Sequence, residues 1–364
     1  MNRRTFLSLV GSVSTATLLT SATGRAFAAA HADAWPGYRQ AIVIDSLGGP
    51  GTAFSEGLTP LSPDELHDVR ASGLTAVNLT VNGSPGSYAR DYDETIRQIA
   101  YWNAEIAAHP NVFLQVLRAV DIAEAKCSGR LGIIYGFQDV TPIAEDLNRV
   151  DTFRNFGVRI FQLTYNRRNL VGDGCLESGN AGLSEFGRKL LSRLNERRVL
   201  VDLSHADERT TLEAIEASKA SIAISHTGCA ALAPNPRNKT DHELRKLADR
   251  GGYVGIYLMP FLRSQGQPMA EDLIRHLEHA IDVCGEDHVG IGTDGSISSV
   301  AVTSEFKKQY ADEINERRKL GISTPGEDPK VYTFIPDLNS VDRFAHIAEL
   351  LSRQNIPMRA LRRF

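Results

Sequence analysis

The chain has few cysteines, little net charge and no apolar run long enough to cross a membrane. Its 364 residues include only four cysteines, too few for a scaffold held together by disulfides. The formal net charge of −4 provides no electrostatic reason to bind nucleic acid. Low-complexity segments and a glycine period are also lacking, which excludes a disordered or collagen-like chain. Among the classes of protein that remain, a chain of this length suits one large α/β domain or two medium ones.

The first 28 residues have the features of an export signal. Arg3 and Arg4 form a pair, a short apolar run rich in small residues continues to Leu19, and Ala-Phe-Ala at 26–28 is a cleavage site. Twin arginines favour the twin-arginine route, which exports folded proteins. The alternative to an export signal is a basic amphipathic N-terminal helix, which the joint occurrence of these three features disfavours. Cleavage removes three arginines and no acidic residue, leaving 336 residues with a charge of −7. The expected location is the periplasm or the cell exterior.

Short β-branched segments alternate with helical patterns along the rest of the chain. Eight strands are predicted at 41–45, 74–80, 131–137, 158–164, 199–203, 221–225, 253–258 and 289–293, with an accessory run at 112–117. Helical patterns lie at 183–196, 206–217, 241–250 and 271–284. This alternation indicates a parallel sheet, and eight units favour a closed (β/α)8 TIM barrel over an open sheet. Residues 29–364 are predicted to form one α/β domain, with 299–338 as an irregular excursion before a last helix at 340–353.

Two histidines at neighbouring strand ends are the sharpest candidate site. His205 and His226 each follow a serine, in VDLSH and AISH. Imidazoles from adjacent strand ends converge at the mouth of a barrel, where they can hold a metal ion and leave positions open. Asp294, after the eighth strand, can add a metal ligand or accept a proton from a metal-bound water. Arg237, on the loop after the sixth strand, is suited to a bidentate grip on a carboxylate.

Linked motifs around these residues carry a family resemblance. The segments LTYN, GLSEFG, VDLSH, ISH, PRN and GIGTD resemble the membrane (renal-type) dipeptidases, which are barrel metallopeptidases of the amidohydrolase-like superfamily. The resemblance implies a small peptide substrate, a zinc ion on His205 and His226, a substrate carboxylate on Arg237, and proton transfer by Asp294. It also suggests a homodimer. Relatives generally continue beyond the last helix into a Gly-Gly-Asn segment that this chain lacks, so a truncated or absent closing segment is expected.

The chain departs from the family pattern on one half of the site. The family's first strand ends in D-x-H-x-D, but Leu47 and Gly49 replace the metal-binding His and second Asp here. The bridging Glu is replaced by Gln138, and the His after the fourth strand by Tyr165. Tyr165 remains a hydrogen-bond donor, so it keeps a predicted catalytic role, and together with Asn166 it is expected to bind substrate.

These changes reduce the expected cofactor to a single zinc ion. The predicted ligands are His205, His226 and Asp294, with Gln138 and Asp45 as weaker candidates and water completing the shell. Such an ion would support hydrolysis of a peptide or related amide bond. Three alternatives stay open, namely a hydrolase for another amide, ester or modified peptide, a ligand-binding barrel without hydrolysis, and a metal-free enzyme.

Overall fold

The computed structural model describes residues 37–51, 58–82 and 88–353. The export signal expected at 1–28 and the closing segment expected near the end of the chain lie outside these residues. Within them, no helix is long and apolar enough to cross a membrane.

A parallel sheet forms the centre of the molecule. Its strands and the short strands beside them are β1 (Ile44–Asp45), β2 (Gly48–Gly49), β3 (Ala76–Thr80), β4 (Phe113–Gln115), β5 (Leu131–Phe137), β6 (Val158–Gln162), β7 (Leu200–Asp202), β8 (Ala223–Thr227), β9 (Tyr253–Ile256), β10 (Val289–Ile291) and β11 (Gly295–Ser296). Eight of them follow the order β1-β3-β5-β6-β7-β8-β9-β10, and β4 pairs with β5 as an accessory strand.

Backbone hydrogen bonds bring the two ends of this sheet together. Ser46 N–H donates to Ile291 O at 3.0 Å, and Asp294 N–H donates to Leu47 O at 2.8 Å. A second ladder, β2 with β11, continues beside the first. The eight strands therefore make a nearly closed barrel, which confirms the predicted (β/α)8 fold class.

Helices surround the barrel and cover the outer face of its strands. They span Pro63–Ala71, Tyr88–Ala108, Ala119–Ser128, Arg149–Asn155, Glu185–Glu196, Glu208–Ala217, Asp241–Asp249, Ala270–Cys284, Ser304–Lys319 and Arg343–Arg353. Ser184 accepts from Gly187 N–H and caps one of them, as the sequence predicted. Strand residues facing inward and outward are both buried, for example Ala76 and Val77, because one side meets the barrel interior and the other meets helices.

Residues 299–338, hereafter the excursion, are more regular than the sequence predicted. A helix, Ser304–Lys319, begins after the capping residue Thr303, and a 3-10 turn follows at Pro336–Leu338. Phe306, Tyr310 and Ile314 lie on one face of the helix and form a small core separate from that of the barrel. The prediction of an irregular segment was wrong because only these three apolar residues, four apart, mark the buried face of a mostly polar helix.

Candidate active site

A cavity of about 440 Å³ lies at the carboxyl ends of the barrel strands, partly covered by the excursion. Residues that follow barrel strands form one part of its wall, and the excursion forms another. The polar residues of the wall include Gln138, Tyr165, Asp294, Glu313, Arg317 and Glu327. This is the end of the barrel at which barrel enzymes carry out chemistry.

His205 and His226 meet as the sequence predicted. Their Nε2 atoms are 2.9 Å apart, and their ring centroids are separated by 4.9 Å at an interplanar angle of 61°. His226 lies at the end of β8, while His205 follows β7 by three residues. Both are buried, with exposed fractions of 3% for His205 and 0% for His226.

The hydrogen bonds of Asn166 settle which nitrogen of His205 carries the proton. The Asn166 amide donates from Nδ2 to Ile322 O at 2.8 Å, so its Oδ1 is the atom that faces His205 Nδ1 at 2.6 Å. An amide oxygen only accepts, and Nδ1 must therefore carry the hydrogen. This leaves His205 Nε2 with a free lone pair.

A serine and a buried aspartate settle the same question for His226. Ser225 Oγ donates its hydrogen to Asp202 Oδ2 and lies 2.8 Å from His226 Nδ1. Because Ser225 Oγ gives its one hydrogen to Asp202, it has none left for His226, and His226 Nδ1 donates to it; burial raises the pKa of Asp202, and the hydrogen bonds that it accepts from Ser204 and Ser225 oppose that rise. Ser204 Oγ, at 2.6 Å, and Ser225 N–H, at 3.0 Å, also donate to Asp202 and hold it in place.

With these tautomers two lone pairs face each other, an arrangement that a cation between them would stabilise. Burial lowers the pKa of both His205 and His226 well below the usual 6.5, and Arg237 adds to the effect, so a shared proton is disfavoured at neutral pH. Two imidazole nitrogens on one tetrahedral zinc ion are about 3.3 Å apart, close to the separation seen here. The donor set therefore fits a metal ion held by both imidazoles.

Asp294 lies beside this pair and between it and the cavity. Its Oδ2 is 4.0 Å from His226 Nε2, and its Oδ1 accepts from Gln138 Nε2 at 3.4 Å. Its backbone φ of 56° is in the left-handed region, which aspartate adopts more often than most non-glycine residues. Burial raises the pKa of Asp294 to about 6, although Arg237 and Arg317 oppose the rise.

Asp294 is the nearest candidate for a third ligand. Among the described residues, no group of three or more His, Cys, Asp or Glu side chains is already close enough to hold a metal ion. A carboxylate oxygen and an imidazole nitrogen on one zinc ion would be about 3.3 Å apart, so Asp294 needs to approach by about 0.7 Å. Gln138, a weaker predicted ligand, contacts Asp294 itself.

Asp45, the other weaker ligand candidate, is engaged elsewhere. Its oxygens accept from Thr293 N–H at 2.8 Å, Thr293 Oγ at 2.6 Å and Leu47 N–H at 3.2 Å. These bonds tie the end of β1 to the chain after β10, so the geometry favours a structural role. Burial raises the pKa of Asp45 to about 7 in spite of them.

The predicted substrate-binding residues occupy different positions. Tyr165 lines the cavity and stacks on His205, with ring centroids 4.2 Å apart. Asn166 is buried, and both the oxygen and the nitrogen of its amide are hydrogen-bonded, to His205 and to Ile322 of the excursion. It therefore positions these two groups and does not face the substrate. Arg237 is 2% exposed, and its Nη1 donates to Ser204 O at 2.6 Å. Its guanidinium makes no ion pair among the described residues, and Arg237 is not one of the residues that line the cavity.

The first-strand half of the site does not fit a second metal ion. β2 carries Gly48 and Gly49, and both are paired in the ladder with β11. A Cβ on Gly48 would collide with the Asp45 carboxylate, and one on Gly49 would lie 2.7 Å from Leu79 Cδ1. Leu47 is 4% exposed and adds an apolar side chain to the cavity wall. The space is therefore filled by backbone pairing and leucine side chains.

Arg317 is a site residue that the sequence did not reveal. It lies on the excursion helix and lines the cavity near Tyr165 and Asp294. The resemblance motifs stop before this segment, so only a correct prediction of the helix and of its folding back could have found it.

Comparisons with known proteins show which family and fold this chain resembles. The family model of the membrane dipeptidases, peptidase family M19, matches residues 55–316. Dipeptidase verJ of Clonostachys rogersoniana is 32% identical over 179 residues, 48% of this chain and 45% of that protein. Dipeptidase tcpJ of Claviceps purpurea is 29% identical over 213 residues, 57% of this chain and 50% of that protein. The chain thus matches about half the length of these curated relatives.

A solved structure extends the likeness over most of the chain. The crystal structure of an amidohydrolase from Pseudomonas aeruginosa has a TM-score of 0.75 and 30% sequence identity, covering 90% of this chain and 93% of that one. The family model matches most of the chain, and the barrel fold is consistent with it. The chain belongs to the membrane dipeptidase family, peptidase family M19.

Proposed function

We propose that this protein is an exported, dipeptidase-like metallohydrolase that cleaves the peptide bond of a small substrate at a single-metal site. The observation that carries the proposal is the approach of His205 Nε2 to His226 Nε2, 2.9 Å apart and next to Asp294. Zinc is the metal that suits two imidazoles and a carboxylate. Family membership supports a small peptide as the substrate.

The residues around the cavity divide the chemistry among them. Zinc, when bound, supplies a Lewis acid and lowers the pKa of a water molecule. Arg237 attracts the substrate carboxylate, because its buried charge lacks a carboxylate partner among the described residues. Tyr165 donates a hydrogen bond to the scissile carbonyl oxygen.

Asp294 handles the proton in this scheme. The oxygen of water forms a bond to the carbonyl carbon while Asp294 takes a proton from the water. The carbon–nitrogen bond then breaks, and Asp294 returns the proton to the leaving amine. Asp294 lies 4.0 Å from His226 Nε2 and lines the cavity, so its carboxylate is placed to take and return this proton.

Zinc titration of the chelated protein tests the metal site. We expect one equivalent to bind and to restore cleavage in a panel of dipeptides, and we expect His205→Ala and His226→Ala to lose both properties. His346→Ala is the matched control, since that histidine is half exposed and pairs only with groups on its own surface. A parent that binds no zinc, with no activity gained on adding it, would overturn the metallohydrolase proposal.

The apolar wall near Leu47 supports a second candidate function, hydrolysis of a substrate other than a simple dipeptide. Leu47, Gly48 and Gly49 line this half of the cavity and give it an uncharged wall, which suits an apolar substrate group. A hydrolase for another amide, an ester or a modified peptide would use the same histidines. Cleavage of acyl amides or esters but of no dipeptide in the same panel would favour it, and Arg237→Ala would then leave the rate unchanged.

Export rests on the first 28 residues. A fusion of these residues to a reporter that is active only after export in the folded state is expected to give signal. Changing Arg3 and Arg4 to lysine is expected to abolish it, and a signal that survives this change would contradict the twin-arginine route.

A further inference from the structure

Arg317 brings a positive charge from the excursion to the cavity. It lies near the end of the helix Ser304–Lys319, and its side chain is 23% exposed. Tyr165, Gln138 and Asp294 line the same cavity. Nothing in the barrel motifs assigns a role to this residue.

A buried carboxylate orients the guanidinium. Arg317 Nε and Nη2 donate to the two oxygens of Glu327, each at 2.8 Å, and the Glu327 side chain is only 4% exposed. Glu327 also accepts from Thr324 N–H at 3.1 Å, which fixes the carboxylate in turn. A planar bidentate pair holds the guanidinium in one orientation, and Nη1 lies outside that pair.

Tyr165 links Arg317 to the histidine pair. Burial alone would lower the pKa of Arg317, but hydrogen bonds to Glu327 and to Tyr165 raise it, so the guanidinium stays charged. A guanidinium donates to the tyrosine oxygen, and the hydroxyl hydrogen of Tyr165 then remains for an acceptor in the cavity. The same ring stacks on His205 at 4.2 Å.

Another arginine of the cavity wall is committed elsewhere. The Arg343 guanidinium donates to the carbonyl oxygens of Ser296, Ile297 and Ser298. These bonds leave Arg317 as the better placed of the two to donate into the cavity.

Resting on the hydrolytic function proposed above, we propose that Arg317 contacts the substrate and, together with Tyr165, stabilises the negative charge that develops on the scissile carbonyl oxygen. A donor already held in place needs no reorganisation as that charge forms. Its interaction is therefore stronger in the transition state than with bound substrate, so it raises kcat more than it lowers KM.

Steady-state kinetics of Arg317→Met test this role. We expect kcat to fall by about 10²–10³-fold, the usual loss for one oxyanion donor, with KM changed by less than about threefold. Lys319→Met is the matched control, because it removes a cation from the same helix that pairs with Glu316 away from the cavity. A rise in KM at constant kcat, or kinetics equal to those of the control, would overturn the proposal.

A binding measurement separates this role from a purely structural one. A phosphinate analogue of the dipeptide carries its negative oxygen at the reacting centre, so we expect Arg317→Met to weaken its binding by the same factor as kcat. Binding of an uncleaved dipeptide with inverted configuration should change little. Equal losses for both ligands would mean that Arg317 only supports the excursion.

A double variant keeps the test valid if the single one misfolds. Arg317→Met strands the buried Glu327 carboxylate, whereas Arg317→Met with Glu327→Met removes both charges together. The double variant is expected to show the same loss of kcat. A parent that cleaves no dipeptide and binds no phosphinate overturns the proposed function and this role with it. An active parent with an unaffected double variant overturns this role alone.

Discussion

Replacing Asn166 with alanine is expected to weaken the metal site and to loosen the excursion in a single step. Its Oδ1 accepts from His205 Nδ1 at 2.6 Å, and its Nδ2 donates to Ile322 O at 2.8 Å. The side chain is 1% exposed, so water does not readily replace either partner. Leaving a buried polar group unsatisfied costs about 1–3 kcal/mol, and two such groups give a loss of about 2–6 kcal/mol in unfolding free energy.

The same change removes the group that selects the tautomer of His205. Loss of a hydrogen bond that orients a metal-binding histidine typically reduces metal affinity by about 10–100-fold. Zinc affinity of Asn166→Ala should therefore fall in that range. The measurement is a competition titration of the chelated protein, with thermal unfolding of the metal-free protein recorded in parallel.

Two further variants separate the two effects. Asn166→Asp keeps an acceptor for His205 but loses the donor to Ile322, so zinc affinity should stay within about threefold of the parent while the excursion loosens. Asn235→Ala is the matched control, because Asn235 Nδ2 donates to Pro325 O at 2.6 Å and does not contact His205. It should loosen the excursion and leave zinc affinity unchanged.

Hydrogen exchange of residues 320–327 reports on the excursion in all three variants. Faster exchange in each, with zinc affinity lost only in Asn166→Ala, is the expected pattern. Equal zinc affinity in Asn166→Ala and the parent would refute the assignment of His205 Nδ1 as a donor, and with it the argument that two lone pairs meet.

Other perturbations should follow the charges and contacts of the site. Zinc affinity should fall about tenfold per pH unit below about 6, because protons then compete with zinc for Asp294, whose pKa is raised to about 6. In a titration series at different pH values, Asp294→Asn should lose this dependence. Gly49→Asp should add no second zinc equivalent, because the neighbouring Leu47 still supplies no ligand; a second equivalent in elemental analysis would contradict this. Chelation should lower the melting temperature of the parent, and excess zinc should restore it, as expected for an ion that binds only the folded state; equal melting temperatures with and without zinc would argue against the site.

Local sequence patterns determined the barrel and the positions of its main site residues. β5 (Leu131–Phe137) has the predicted bounds, and β8 (Ala223–Thr227) lies within two residues of its prediction. Apolar periodicity is a local property, so it can be read without knowing the fold. Once the strands were placed, the barrel rule alone brought His205 and His226 together at one end.

Local sequence patterns did not predict the structure of the excursion. Its helix packs on Tyr332 and Phe334, which follow it in the chain, and its backbone is held by side chains from distant barrel loops, including Asn166 and Asn235. Such contacts depend on where the chain folds back, which no short segment specifies. Arg317 reaches the cavity only through them.

The sequence by itself thus determined a barrel, a pair of histidines and the loss of the ligands on the first strand. Only the tertiary structure showed that the Nε2 atoms of the two imidazoles meet at 2.9 Å and that Gly48 and Gly49 pair with β11. The reason is physical, because side-chain contacts and strand pairing of this kind join residues that are far apart in the sequence and meet only when the barrel closes.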